Sequence, residues 1–346
     1  MRSQRDALPD EAARDGHRHN GDNTMTTAPY NHNDPRPSWS RVKGVLDCPA
    51  EARYQADHAS ERKQTPAMAL GTRLHCATLE PQEFDARYIV PPVVERQPGW
   101  EVEGKRGAYT IGALPGAEYG TKADADAACL PWGWAGCETT YRTQAEAREA
   151  LGRAYPGEWV TAEERADTLA RAAVGREVLM RYVAGSAVTI HYEMPLYGRL
   201  EGIEARGCAD IVIEWLDDRG RVTMLTVIDL KTTTDVSPRA VQRTAITGRW
   251  HGQLVTYGRL LLQQPQYAHL DASNVDHAVM VMASTGRPHA RIELFDGAGE
   301  AKGNADATQA WRMWRDCTAS GIWPDYVGGL DVPAWAAGVA PAEEEY

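Results

Sequence analysis

No stretch of about 18 apolar residues, the length that spans a bilayer, occurs in this 346-residue chain. Its start, "MRSQRDALPDEAARDGHRHNGDNT", lacks the apolar core of a secretory signal. CxxC pairs are missing as well. The six cysteines, at 48, 76, 129, 137, 208 and 317, keep no regular spacing, which excludes a zinc ribbon and argues against a disulfide scaffold in a chain this long. There is no basic excess: 37 Lys and Arg face 48 Asp and Glu, for a net charge of −11. The surface therefore cannot grip a polyanion everywhere by charge alone, although a local basic channel is compatible with that balance. No internal repeat is visible. What these absences leave is a globular protein expected in a reducing cytosolic compartment and away from membranes. An apolar fraction of 43% suffices for one large or two ordinary domains.

Residues 1–36 are polar and nearly free of large apolar side chains, so a disordered leader is expected there, with Met25 as an alternative start. A domain over 37–330 follows, with a flexible tail at 331–346. Ser38 or Ser40 can cap a helix carrying Val42, Val45 and Leu46, with Pro49 closing it. Met68, Leu70, Leu74 and Leu79 recur at helical spacing in "TPAMALGTRLHCATLEPQEF", with Pro81 as the stop and His75 inside. Residues at about 91–157 are rich in Gly, Pro and Trp without sustained periodicity and read as an irregular insertion. Thr161 and Glu164 then form a capping box for a helix.

Three runs rich in β-branched residues come next, "AVTIHYEMPLYG", "IEARGCADIVIEWLDD" and "RVTMLTVIDLKTT", with turn signals at Gly198, Gly202 and Asp217–Gly220. A helical stretch broken near Gly248, the strand "HAVMVMAS" and the helix "NADATQAWRMWRDCTAS" complete an α/β order, a mixed central β-sheet flanked by helices. Ser237 and Pro238 suit the start of the broken helix. Trp311 and Trp314 are most simply core.

Asp210 and Asp229 lie about equally far from the Asp218–Gly220 turn, so a hairpin sets one carboxylate beside the other. Side chains alternate along a strand, which puts Asp229 and Lys231 on one face and Leu230 on the other. Two carboxylates held this close repel unless a cation keeps both ionised. Oxygen ligands of this kind suit Mg²⁺ or Mn²⁺, and such an ion activates water and stabilises charge on a phosphoryl group. Lys231 then orients that water or offsets the charge of the transition state.

An aspartate followed after a gap by hydrophobic-Asp-Leu-Lys-Thr-Thr resembles the signature of the PD-(D/E)xK nuclease superfamily. "LHCATLEPQEF", "GCADIV", "IDLKTTTDVSPRAV" and "GQLVTYGRLL", in this order, resemble its RecE-type (exodeoxyribonuclease VIII-like) phage exonucleases over residues 38–327. Cys208-Ala209 stands where those enzymes commonly carry a basic residue and a small residue or proline. The resemblance implies a restriction-endonuclease-like core and Mg²⁺-dependent (or Mn²⁺-dependent) exonuclease action on duplex DNA ends. It implies a metal shell of His75, Asp210 and Asp229, with Lys231 catalytic beside both aspartates. It further implies that Gln253 and Tyr257, four apart on a helix, help place the DNA backbone or the lysine. Glu193 is a supporting candidate, more simply structural or solvated. A single-strand annealing recombinase and a homo-oligomeric ring are the partners this kinship leaves room for. A catalytically reduced DNA-binding or assembly module, and an endonuclease with the same site, remain the alternatives.

Overall fold

The computed structural model describes residues 34–325, apart from residue 62 and positions 97–101, 106–107, 112–117, 120, 129–131, 136–138, 140 and 142. Of the leader only residues 34–36 are described, and Met25 and the tail lie outside the described residues. The centre is a five-stranded mixed sheet. Its strands are β1 (Val188–Leu200), β2 (Ile203–Leu216), β3 (Val222–Thr233), β4 (Val275–Ala283) and β5 (Ala290–Leu294), in the order β5-β4-β3-β2-β1. β3 and β4 run parallel, and the other neighbours are antiparallel. The near-continuous apolar character of β3 and β4 fits strands covered on both faces.

Helices α1 (Pro66–Leu79) and α2 (Ala162–Tyr182) cover one face, where Leu74, Leu179, Ile211, Ile213, Ile228 and Leu230 share a core. The other face carries α3 (Pro238–Thr247), α4 (Trp250–Leu261) and α5 (Gly297–Ser320), packed with Val212, Leu225, Val227 and Val279. Trp311 is wholly buried there, and Trp314 nearly so. Both signals of the Thr161–Glu164 capping box are present at the start of α2. The 91–157 stretch contains short strand pairs, a helix at Gln144–Ala154 and a small core around Trp134 and Leu151. Among the described residues no helix is long and apolar enough to cross a membrane.

Two local expectations are extended and one is corrected. The helical segments before Pro49 and Pro81 end at Leu46 and Leu79, and each proline also opens a new helix, Pro49–Asp57 and Pro81–Arg87, because a first helical position needs no N–H donor. Gly198 marks no turn: β1 runs on to Leu200, and the turn falls at Glu201 and Gly202. A Cβ at Gly198 would sit 2.6 Å from Gln263 Oε1 and 3.0 Å from Leu260 Cδ2, so the glycine admits the end of α4. The short edge strand β5 and the first turns of α5 are additions to the expected order, since "ARIEL" and "GAGEAKG" carry weak periodic signals.

One irregularity shapes everything near the site. Val188 and Ile190 of β1 pack with the α1/α2 core, whereas Met194, Leu196 and Leu200 pack with the α4/α5 core. All five positions are even-numbered, and an unbroken strand would keep them on one face. β2 does the same, with Ile211 and Ile213 on one side and Ala205 and Ala209 on the other. The paired strands therefore reverse face between these groups, at Glu193, whose φ of 49° is left-handed and unfavourable for a side chain bearing a Cβ.

Beyond the reversal the ribbon lies against α4 through close backbone approaches. A Cβ at Gly207 would lie 2.7 Å from Tyr257 Cε1, and one at Gly252 would enter the indole of the buried Trp39. Substitution Gly252→Ala is expected to lower stability by about 1–3 kcal/mol through overpacking. In urea unfolding the midpoint should fall at unchanged slope; an unchanged midpoint would mean that Trp39 yields freely.

Candidate active site

The β2–β3 ladder ends at the pair Ile211 and Ile228, so Asp210 and Asp229 occupy the next opposed positions, as the hairpin arithmetic expects. At that point the strands part. Asp210 Oδ2 accepts the Leu230 backbone N–H at 2.6 Å, a side chain standing in for a lost ladder bond. The same carboxylate oxygen lies 3.0 Å from His75 Nε2, and His75 Nδ1 lies 3.2 Å from Glu193 Oε1. His75 thus reaches from α1 to both members of the kinked ribbon. Ligand atoms of His75, Glu193 and Asp210 all fall within 4.8 Å of one another.

Asp229 and Lys231 share a face, with Leu230 turned into the opposite core. Lys231 Nζ lies 2.6 Å from Asp229 Oδ2, a close ion pair whose approach is not aligned as a hydrogen bond, so that buried oxygen keeps no directed donor. Gln253, on α4, connects the rest. Its Nε2 donates to Asp229 Oδ1 at 2.7 Å and to the Tyr257 hydroxyl at 2.9 Å, and its Oε1 accepts from Lys231 Nζ at 3.1 Å. The reverse amide orientation would set oxygen against carboxylate, so the network dictates this one.

All seven residues singled out in the sequence thus meet at the junction of the two helical layers, and Glu193 stands closer to the histidine than a solvated residue would. Two contributors carried no signal of their own. Cys208 Sγ donates to Glu193 Oε2 at 3.5 Å, and the Trp250 ring lies 6.0 Å from Lys231 Nζ. The position of Trp250 three residues before Gln253 is the one cue that could have found it. Of the three threonines after Lys231, Thr233 accepts the Asp235 amide at 3.3 Å and so shapes the turn into α3. Thr232 lies near α1, where a Cβ at Gly71 would stand 3.3 Å from its hydroxyl.

Burial opposes charge on every member of this group, and neighbours decide the outcome. At Asp210, burial is outweighed by His75, Lys231 and the Leu230 amide, so its pKa falls below the ordinary value. Asp229 is only 1% exposed, and there burial, joined by repulsion from Asp210, overcomes Lys231 and pushes the pKa up to about 6. Burial would strip His75 of its proton, but Asp210 and Glu193 hold it there and raise the pKa well above 6.5. Lys231 is likewise kept charged against burial by the two aspartates. Burial and the same aspartates raise Tyr257, and burial with Glu193 keeps the Cys208 thiol protonated.

These donors fit a divalent cation. One imidazole nitrogen and the oxygens of Glu193 and Asp210 converge, and the undirected oxygen of Asp229 adds negative charge nearby. A carboxylate-rich set with a single imidazole suits Mg²⁺ or Mn²⁺ better than a thiophilic ion.

No family model and no curated protein matches the chain. Among solved structures, it is similar to a protein from Eubacterium rectale provisionally named an exonuclease, at 10% identity over 89% of this chain and 90% of that one, with a TM-score of 0.46. A second, the protein SSO0001, is similar at 17% identity over 53% of this chain and 71% of that one, with a TM-score of 0.24.

Cation binding is expected to displace the proton that Asp210 and Glu193 hold on His75 and, below about pH 6, that of Asp229 as well. Apparent Mn²⁺ affinity should then climb with pH through about 6, by about tenfold per pH unit for each proton displaced. Calorimetry in two buffers of different ionisation enthalpy reads the proton release directly; a pH-independent affinity without release would contradict this charge assignment. The stability sign is opposite. With its folded pKa raised, Asp229 contributes stability that is complete below its ordinary 3.8 and is lost as the pH climbs through about 6.

Proposed function

We propose that this protein is a Mg²⁺- or Mn²⁺-dependent deoxyribonuclease that hydrolyses phosphodiester bonds from the ends of linear duplex DNA. One observation carries the reading: two buried aspartates opposed across parting strands, with an imidazole beside one and a lysine beside the other. A structural ion pair needs one acid and one base. Here Asp210, Asp229 and Glu193 crowd together against the repulsion between like charges, a concentration characteristic of sites that bind cations.

In this reading His75, Asp210 and Asp229 hold the cation, with Glu193 in support of His75. When bound, the cation supplies an activated water and draws charge from the phosphoryl oxygen. Lys231 has three N–H donors, of which Gln253 accepts one while Asp229 pairs with the charge without an aligned bond, so donors remain for the attacking water or a phosphate oxygen. Gln253 sets the direction of the lysine and keeps Asp229 from turning away. Tyr257 holds Gln253 in turn, braced against the bare backbone of Gly207. The role of these two is positioning.

Residues 37–330 act as one nuclease domain in this reading, with 91–157 inserted. The sequence likeness to RecE-type enzymes supports the finer points: digestion from duplex ends, a cytoplasmic setting in a bacterial host, and a single-stranded product for an annealing recombinase. A ring of identical subunits is an arrangement the same likeness leaves room for. A DNA-binding module without activity is the less favoured reading, because Lys231 has no use in mere assembly.

End-labelled linear duplex with Mg²⁺ tests the proposal. Wild-type protein should release label, and Asp229→Ala or Lys231→Ala should lower the rate by at least about a thousandfold, the scale lost with a principal charge-stabilising group. Circular dichroism should stay near wild type. Equal degradation by these variants would remove the site assignment, and cutting of closed circular DNA would make the enzyme an endonuclease.

A further inference from the structure

The outer face of α3 is the feature the site chemistry leaves unused. Arginines elsewhere in this acidic chain commonly have carboxylate partners, as Arg53 has Asp57, Arg171 has Asp167 and Arg221 has Asp217. Arg239 and Arg243 have none: both are exposed, and neither side chain makes a hydrogen bond, ion pair or ring contact among the described residues. The helix "PRAVQRTAIT" contains no acid. Asp235, just before it, is occupied by the Ser237 amide at 2.8 Å. Like charges four apart on a helix repel, so this pair works against its own helix unless an anion lies over it.

The placement suggests which anion. Val241 and Ala245 are the buried residues of α3, and Arg239 and Arg243 lie on the opposite side, fully outward. Residues 234–237 alone separate α3 from β3, which carries Asp229 and Lys231, and residues 248–249 alone separate it from α4, which carries Gln253. Arg239 is in the first turn, at the end joined to the strand that carries Asp229 and Lys231. Lys43 adds a further ammonium at the other end, where its Nζ donates to the Gly248 carbonyl at 3.3 Å. The arginines are spaced about 6 Å along the helix axis. Long guanidinium side chains can match that spacing to neighbouring phosphates, which recur about every 3.4 Å of axis along each DNA strand.

We propose that Arg239 and Arg243 form a two-point grip on the phosphate backbone of duplex DNA, beside the bond to be cut. The grip rests on the nuclease reading and explains how a protein of net charge −11 holds a polyanion without a basic surface. It gives affinity and register and takes no part in the chemistry.

The test is fluorescence anisotropy of a labelled linear duplex with the full chain, in Ca²⁺ in place of Mg²⁺, over about 50–200 mM salt. Each lost phosphate contact should make the slope of log affinity against log salt shallower by about 0.9. Arg239→Gln/Arg243→Gln should therefore lose about 1.8 of slope and roughly tenfold or more in affinity near 0.1 M salt. In Mg²⁺ its KM should rise with kcat at saturating DNA unchanged. Arg219→Gln, in the hairpin turn at the far end of β3, should behave as wild type. Wild-type slope and affinity in the double variant would overturn the grip, as would an equal loss in Arg219→Gln or an absence of DNA binding by the wild type. Binding with the expected slopes but no cleavage in Mg²⁺ would instead count against the nuclease reading and leave the grip standing.

Discussion

Where β2 and β3 separate, the Leu230 amide donates to the Asp210 carboxylate rather than to a strand neighbour. The site depends on that substitution. A side-chain acceptor ends the ladder without leaving a buried N–H unpaired, and the gap it opens lets Asp229 and Lys231 face α4 while Asp210 faces His75. The left-handed Glu193 on the next strand turns the same ribbon over, so residues from opposite helical layers can converge on one point. Backbone strain is tolerated where surrounding structure over-determines it, and here both flanks of the kink are held by separate cores.

Much of this was legible in the chain. The hairpin distance argument alone opposes Asp210 to Asp229, and strand alternation alone sets Lys231 beside Asp229. The four-residue spacing of Gln253 and Tyr257 needs only a helix. The reversal at Glu193 was not legible, because nothing in "HYEMP" marks a positive φ at a glutamate. Nor was the purpose of Gly198 and Gly207: a glycine in a strand can signal a turn or a close neighbour, and only the docked α4 decides between them. Pro49 and Pro81 told only half of their part, since proline ends one helix and begins another by the same missing donor.

The charges themselves set a local conflict. Five ionisable groups gathered at the edge of a core would weaken an ordinary fold, and the protein accommodates them by satisfying each through a neighbour: amide, imidazole, carboxylate, glutamine or ammonium. These partners come from α1, β1, β2, β3 and α4, so the polar network doubles as a set of cross-links between layers. The apolar faces of β3 and β4 provide the rigid support behind it.

His75 and Glu193 stand 118 positions apart in the chain, and Gln253 follows Asp229 by a further strand exit and an entire helix. No short contiguous fragment of the polypeptide contains the whole constellation, which runs from His75 to Tyr257. A ribosome must therefore finish α4 before the set is complete, because Gln253 and Tyr257 join it last. During synthesis the destructive chemistry proposed for this fold is absent by construction, and the cell that makes the protein meets it only as a completed, folded molecule.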